Sequence, residues 1–106
     1  MARLIWTESA LRDLEEVAEY IAMHNPAAAG SLVERVFNRV DRLTRFPMSG
    51  KRPAELPRTP YREVVVPPCR IFYRVEEPTV FILHVMRAER LLRRFLLDDR
   101  GSMRET

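Results

Sequence analysis

The chain has 106 residues, 46% hydrophobic and 31% charged, which is the balance of one folded globular domain and excludes a wholly disordered chain. Cys69 is the only cysteine, so no intramolecular disulfide can form, and no Cys/His cluster has the spacing of a zinc site. The formal net charge of +3 is uneven: residues 1–30 sum to −3 and the rest to +6, so the C-terminal two-thirds suits nucleic acid or an acidic protein segment, or is simply an arginine-rich solvated surface.

Leu4-Ile5-Trp6 reads as a short strand with Trp6 as a core anchor. Glu8 follows too soon for these residues to begin the apolar stretch of a signal peptide, and no uncharged apolar run approaches a membrane span, so a cytoplasmic location is expected. Thr7 is placed to cap a helix, with Glu8 in its first turn. Ala10, Leu11, Leu14, Val17, Ala18 and Ile21 then recur at three- and four-residue spacing. His24-Asn25-Pro26 ends that helix and starts another, with Asn25 as cap and Pro26 in the first helical position.

The second helix presents Ala29, Leu32, Val33, Val36, Val40 and Leu43 and is expected to run to Phe46-Pro47. A link this short forces an antiparallel helical hairpin, and Gly30 is read either as a point of close helix approach or as a tolerated glycine. Met48 to Pro60 is a surface loop containing Lys51, Arg52 and Arg58. Tyr61–Val66, Arg70–Val75 and Val80–Val85 read as three strands of an antiparallel meander, followed by a short helix over Ala88–Leu97. The expected architecture is therefore α+β, in the order β-α-α-β-β-β plus the terminal helix. Residues 1–97 form one domain, residues 98–106 a frayed tail, and the sheet is antiparallel, with one face on the hairpin and the other open.

Strand alternation sends Arg70, Phe72 and Arg74 to one face, where two cations around an aromatic ring could meet phosphates or carboxylates; the competing account is pairing with Glu63 or Glu77. Arg87, Arg90, Arg93 and Arg94 could extend that surface or belong to a solvated helix. No catalytic triad, phosphate loop or metal motif is readable. His24 reads as a surface or capping residue, His84 as a packed histidine, and Cys69 as a cysteine with no neighbour that would activate it.

From residue 4 to about 90 the chain resembles the RelE/ParE toxin superfamily. The resemblance is carried by Ile5-Trp6-Thr7, Ala10, Asp13-Leu14, Tyr20-Ile21, Pro26, Ala29, Leu43, Pro47, Gly50, Arg62-Glu63-Val64-Val65-Val66 and Arg70-Ile71-Phe72-Tyr73-Arg74-Val75. It implies the toxin of a type II toxin–antitoxin pair, covered by a cognate antitoxin, without cofactor or metal, and reaching operator DNA only through the antitoxin complex. Two activities compete within the superfamily: RelE-like cleavage of ribosome-bound mRNA without a metal, and ParE-like inhibition of DNA gyrase.

The RelE-like cluster is matched in part. Arg62 and Arg70 fall on its basic positions, whereas Val64, Ala88 and Arg94 depart from it, and a one-residue slip offers Arg87 and Phe95 instead. Metal-free RNA cleavage needs proton-transfer groups and phosphate cations together, so the expectation is a gyrase inhibitor that is not an enzyme. Arg62, Arg70 and Arg87 would be catalytic only under the ribonuclease alternative. Target or antitoxin binding is assigned to Arg62, Arg70, Phe72, Arg74, Arg87 and Arg90. A nontoxic interaction or nucleic-acid-binding module of the same fold is the third reading.

Overall fold

Side-chain caps set where both helices begin. The computed structural model describes residues 1–90 together with Leu92 and Leu97. Helix α1 (Glu8–Ala22) starts where Thr7 Oγ1 accepts the N–H of Ala10 at 3.2 Å, and α2 (Pro26–Asp41) starts where Asn25 Oδ1 accepts the N–H of Ala28 at 3.0 Å. Helix α2 ends earlier than its apolar stripe suggested. From Arg42 to Thr44 the chain tightens into a 3-10 turn in which the Thr44 hydroxyl donates to the Asp41 carbonyl at 2.8 Å, so end carbonyls are satisfied locally before Pro47.

Strands β1 (Arg3–Trp6), β2 (Tyr61–Val66), β3 (Cys69–Glu76) and β4 (Thr79–Arg87) form one sheet in the order β1-β4-β3-β2. The meander β2-β3-β4 is antiparallel as expected, but β1 lies parallel to β4, with Leu4 opposite Val80 and Trp6 opposite Ile82, so the sheet is mixed. Topology requires this. Helix α1 carries the chain onward from the end of β1, where the N–H of Thr7 donates to Ile82 O at 3.1 Å. Helix α2 then returns it to the start of β1, where the N–H of Ala2 donates to Thr44 O at 2.8 Å. Strand β2 therefore begins at the same end as β1, and two hairpin turns leave β4 pointing the same way.

Beyond Trp6 the edge of β4 passes from β1 to α1. Asp13 Oδ2 accepts the N–H of Val85 at 3.2 Å and lies 2.7 Å from His84 Nδ1, supplying an acceptor where the neighbouring strand has ended. At this point β4 carries a bulge: Phe72 pairs with His84 but Tyr73 with Ile82, which leaves Leu83 as the extra residue.

The sheet buries both faces. Leu14, Leu32, Val36, Val40 and Leu43 pack against Ile71, Tyr73, Val80 and Ile82 on the helical side, with Trp6 and Phe37 in contact at 5.0 Å between ring centres. On the outer side Tyr61, Phe72, Leu83 and Met86 are covered by Leu56, Leu92 and Leu97. An open outer face is thus corrected: its strand residues are too apolar to be left in water. Ala88–Arg90 form a turn, not the start of a helix, with the N–H of Ala88 donating to Pro68 O at 2.8 Å. The remaining helix expectation and the tail at 98–106 lie outside the described residues, except that Leu92 and Leu97 are buried.

The two described glycines, exposed Gly30 and buried Gly50, have opposite roles. A Cβ on Gly30 would meet nothing within 4 Å, so close helix approach does not explain this residue, whereas a Cβ on Gly50 would lie 2.5 Å from Tyr73 Oη and 2.7 Å from Glu63 O. Gly30→Ala should raise stability by about 0.5–1 kcal/mol in urea denaturation through helix propensity alone. Gly50→Ala should lower it, because backbone is one of the atoms in the way.

Candidate functional site

The loop between α2 and β2 wraps around the outer edge of β2, and this path builds the site. On the helical side Tyr73 Oη donates to Pro47 O at 2.8 Å and accepts the N–H of Gly50 at 2.8 Å, while Arg62 Nη1 donates to Gly50 O at 2.8 Å and Met48 O at 3.3 Å. Lys51 then bridges to Glu63 through reciprocal backbone bonds of 3.0 and 2.7 Å. The chain emerges on the outer side, where Glu55 descends onto Arg70.

A groove of about 610 Å³ lies there, lined by Lys51, Arg52, Ala54, Glu55, Glu63, Val65, Arg70 and Ala88. Arg70 sits at its floor. Its Nη1 and Nη2 donate to the two oxygens of Glu55 at 2.8 and 2.7 Å, its Nη2 also donates to Glu63 Oε2 at 2.7 Å, and its Nη1 reaches the Arg90 carbonyl at 3.3 Å. The guanidinium also lies 4.9 Å from the centre of the Phe72 ring. Glu55 is further held by the N–H of Leu92 at 3.2 Å. The Glu63 side chain is only 3% exposed, so Arg70 satisfies a carboxylate that water scarcely reaches.

The electrostatics follow from these contacts. The bidentate bond from Arg70 holds the Glu55 carboxyl down at about 2, and the same bond pushes the Arg70 guanidinium further above its already high range. Burial raises the Tyr73 hydroxyl, and burial raises the Cys69 thiol to about 11. Cys69 is fully buried and protonated at neutral pH, which removes it as a nucleophile. It should stay unreactive toward a thiol reagent in the native protein and react only on unfolding.

The residues expected to form one cationic surface are dispersed. Arg70, Phe72 and Arg74 do share the outer side, but Phe72 is fully buried, and Arg74 lies 5.5 Å from the Phe81 ring while donating to Glu76 at 3.1 Å. Arg62 is spent on the loop carbonyls. Arg87 turns toward α1, stacking 4.7 Å over the Tyr20 ring and pairing with Glu89 at 3.1 Å. Arg90 is exposed and contributes its carbonyl to Arg70, and Arg93 and Arg94 lie outside the described residues. Guanidinium groups pointing freely from an open sheet face are therefore replaced by a neutralised cluster, because an apolar outer layer cannot carry unpaired charge. Pairing of Arg70 with Glu63 was one of the two sequence accounts. Glu55 had no signal, since the loop fold alone brings it to Arg70. The contact of His84 with Asp13 likewise crosses 71 residues, although His84 is packed as expected. Among the described residues no group of three His, Cys, Asp or Glu could hold a metal ion.

Comparison with known proteins decides the family. The profile described as "ParE toxin of type II toxin-antitoxin system, parDE" matches residues 4–92. This chain belongs to the ParE toxin family. Within the wider RelE/ParE superfamily it is 37% identical over 92 residues to "Toxin RelE2" of Caulobacter vibrioides, covering 86% of this chain and all of that one. It is also 42% identical over 88 residues to "Putative toxin Y4kP" of Sinorhizobium fredii, covering 81% and 88% respectively. In solved structures, a chain of the chromosomal ParDE system of P. aeruginosa superposes with a TM-score of 0.71 at 22% identity, covering 84% of this chain and 98% of that one; it shows the shared fold. A chain of the RelBE2 toxin–antitoxin complex of Mycobacterium tuberculosis gives 0.54 at 27% identity, covering 81% and 96%. The ParE-family fold is thus the α+β order read from the sequence, and among the described residues no helix is long and apolar enough to cross a membrane.

Removing Arg70 should be costly for stability. Arg70→Ala leaves Glu63 buried with Lys51, 4.0 Å away, as its one remaining ion-pair partner among the described residues, and should lower unfolding free energy by about 3–5 kcal/mol in urea melts. Acid should weaken the same link in the wild type. With the folded Glu55 pKa below the unfolded value, its stabilisation is complete above pH about 4.5 and disappears as pH falls toward about 2, a loss of roughly 3 kcal/mol that Glu55→Gln should abolish.

Proposed function

We propose that this toxin arrests growth by inhibiting DNA gyrase and is restrained by a cognate antitoxin. The observation that carries the reading is the closed Arg70 cluster. A ribonuclease working without a metal needs cations free to stabilise the phosphate and side chains that move protons at the 2′-hydroxyl and the leaving oxygen. Here the Arg70 guanidinium already bonds two carboxylates, and among the described residues the groove lining contains no imidazole or phenol. Ala88 lines the groove at a position where the RelE-like resemblance calls for an arginine or histidine.

Arg62 and Arg87, which the ribonuclease alternative would recruit, are engaged elsewhere, Arg62 on the loop carbonyls and Arg87 at α1. A toxin that acts by binding a protein needs none of this chemistry. The complexes in which related toxins occur support an antitoxin partner.

The test sets two assays side by side. Purified toxin should inhibit gyrase supercoiling of relaxed plasmid at stoichiometric concentration and leave ribosome-bound mRNA intact. Codon-dependent mRNA cleavage with supercoiling unaffected would overturn the proposal.

A further inference from the structure

Among the described arginines, those of α2 and the turn after it stand close together along one helix, whereas others without an ion pair, such as Arg12, Arg52 and Arg58, are scattered over other elements. Arg70, Arg74 and Arg87 each meet a carboxylate, whereas no ion pair among the described residues engages Arg35, Arg39, Arg42 or Arg45. We propose that these four arginines form a ridge that contacts the sugar-phosphate backbone of duplex nucleic acid, with Phe46 and Met48 as apolar contacts at its end. The inference stands apart from the choice between gyrase and ribosome.

Helix geometry aligns the four. At about 100° per residue, Arg35 and Arg39 of α2 and Arg42, its C-terminal cap, fall within an arc of roughly 60°. The 3-10 turn Arg42–Thr44 then brings Arg45 over Arg42, because side chains three apart eclipse in that geometry. The ridge lies on the β2 side of the sheet, where Arg35 Nη1 donates to Pro67 O at 3.0 Å and Arg39 acts electrostatically on the Tyr73 hydroxyl. Arg35, Arg42 and Arg45 are exposed and Arg39 is half-buried. The helix's own acids, Glu34 and Asp41, sit roughly 100° or more around from their neighbouring arginines, so they do not interrupt the row.

Length and composition favour a polyanion over a protein partner. Ten residues of helix span roughly 15 Å, and a duplex presents a phosphate about every 3.4 Å along the axis of each strand, so the row matches about four phosphates. Guanidinium forks suit phosphate oxygens and remain charged at any physiological pH. Protein interfaces instead centre on buried apolar anchors with charge at the rim. Here Phe46, 61% exposed, and Met48, 58% exposed, stand at one end of the charged row, not at its centre.

Full-length toxin should bind a fluorescein-labelled DNA duplex of about 20 base pairs, with log affinity falling linearly against log salt at a slope of about −3 to −4. The double variant Arg42→Ala with Arg45→Ala should reduce that slope by about 2 and weaken binding at least roughly tenfold at moderate salt. Arg12→Ala, on the acidic face of α1, should leave both unchanged, and unaltered thermal melting would show that the variants fold. The proposal is overturned if the duplex does not bind at low salt, or if the double variant and Arg12→Ala behave alike. It also falls if the double variant loses binding to a poly-glutamate peptide while keeping its affinity for DNA.

Discussion

Four segments of the chain converge on the guanidinium of Arg70. The side chain rises from β3, bonds Glu63 of β2, clasps Glu55 of the long loop and touches the Arg90 carbonyl after β4. The Phe72 ring beneath it belongs to an apolar layer, and that layer makes the convergence necessary: a cation at its border is tolerated only if fully hydrogen-bonded, and a carboxylate as buried as Glu63 only if it faces a cation. Each charge is the condition for the other, so the loop, the outer layer and the meander are fastened at one point.

The opposite face uses the same economy of groups at the sheet edge. Strand β1 covers only the first half of β4, and α1 continues along the rest, with Asp13 standing in for a missing strand at Val85 and contacting His84. The bulge at Leu83 falls where this exchange occurs. Thr7 ties the corner, its hydroxyl donating to Ile82 O at 2.8 Å while it caps α1. The helical hairpin is consequently anchored to the sheet by polar contacts at its entry as well as by apolar packing, and it presents an acidic α1 and an arginine-bearing α2 as distinct outer surfaces.

This separation of charge bears on how such a toxin works. Arg70 in the groove serves the fold, since it is paired with Glu55 and Glu63 and largely desolvated, and the outward arginines of α2 remain available for long-range attraction. A protein that arrests its target by occupancy can devote its groove to structure in this way, whereas a catalyst needs its cations unpaired before substrate arrives.

Caps, periodicity and turn residues were sufficient to read Thr7 and Asn25 as helix starts, the antiparallel hairpin, the three-strand meander and a packed His84, because each of these depends on residues within a few positions of one another. Tertiary structure decided the rest: the parallel placement of β1, the cover over the outer face, the meeting of Glu55 with Arg70 across 15 residues and of Asp13 with His84 across 71. Local sequence records which side chains alternate along a strand. Which charges must be neutralised depends on what the rest of the chain removes from water, and that is known only once the long loop has closed over the sheet.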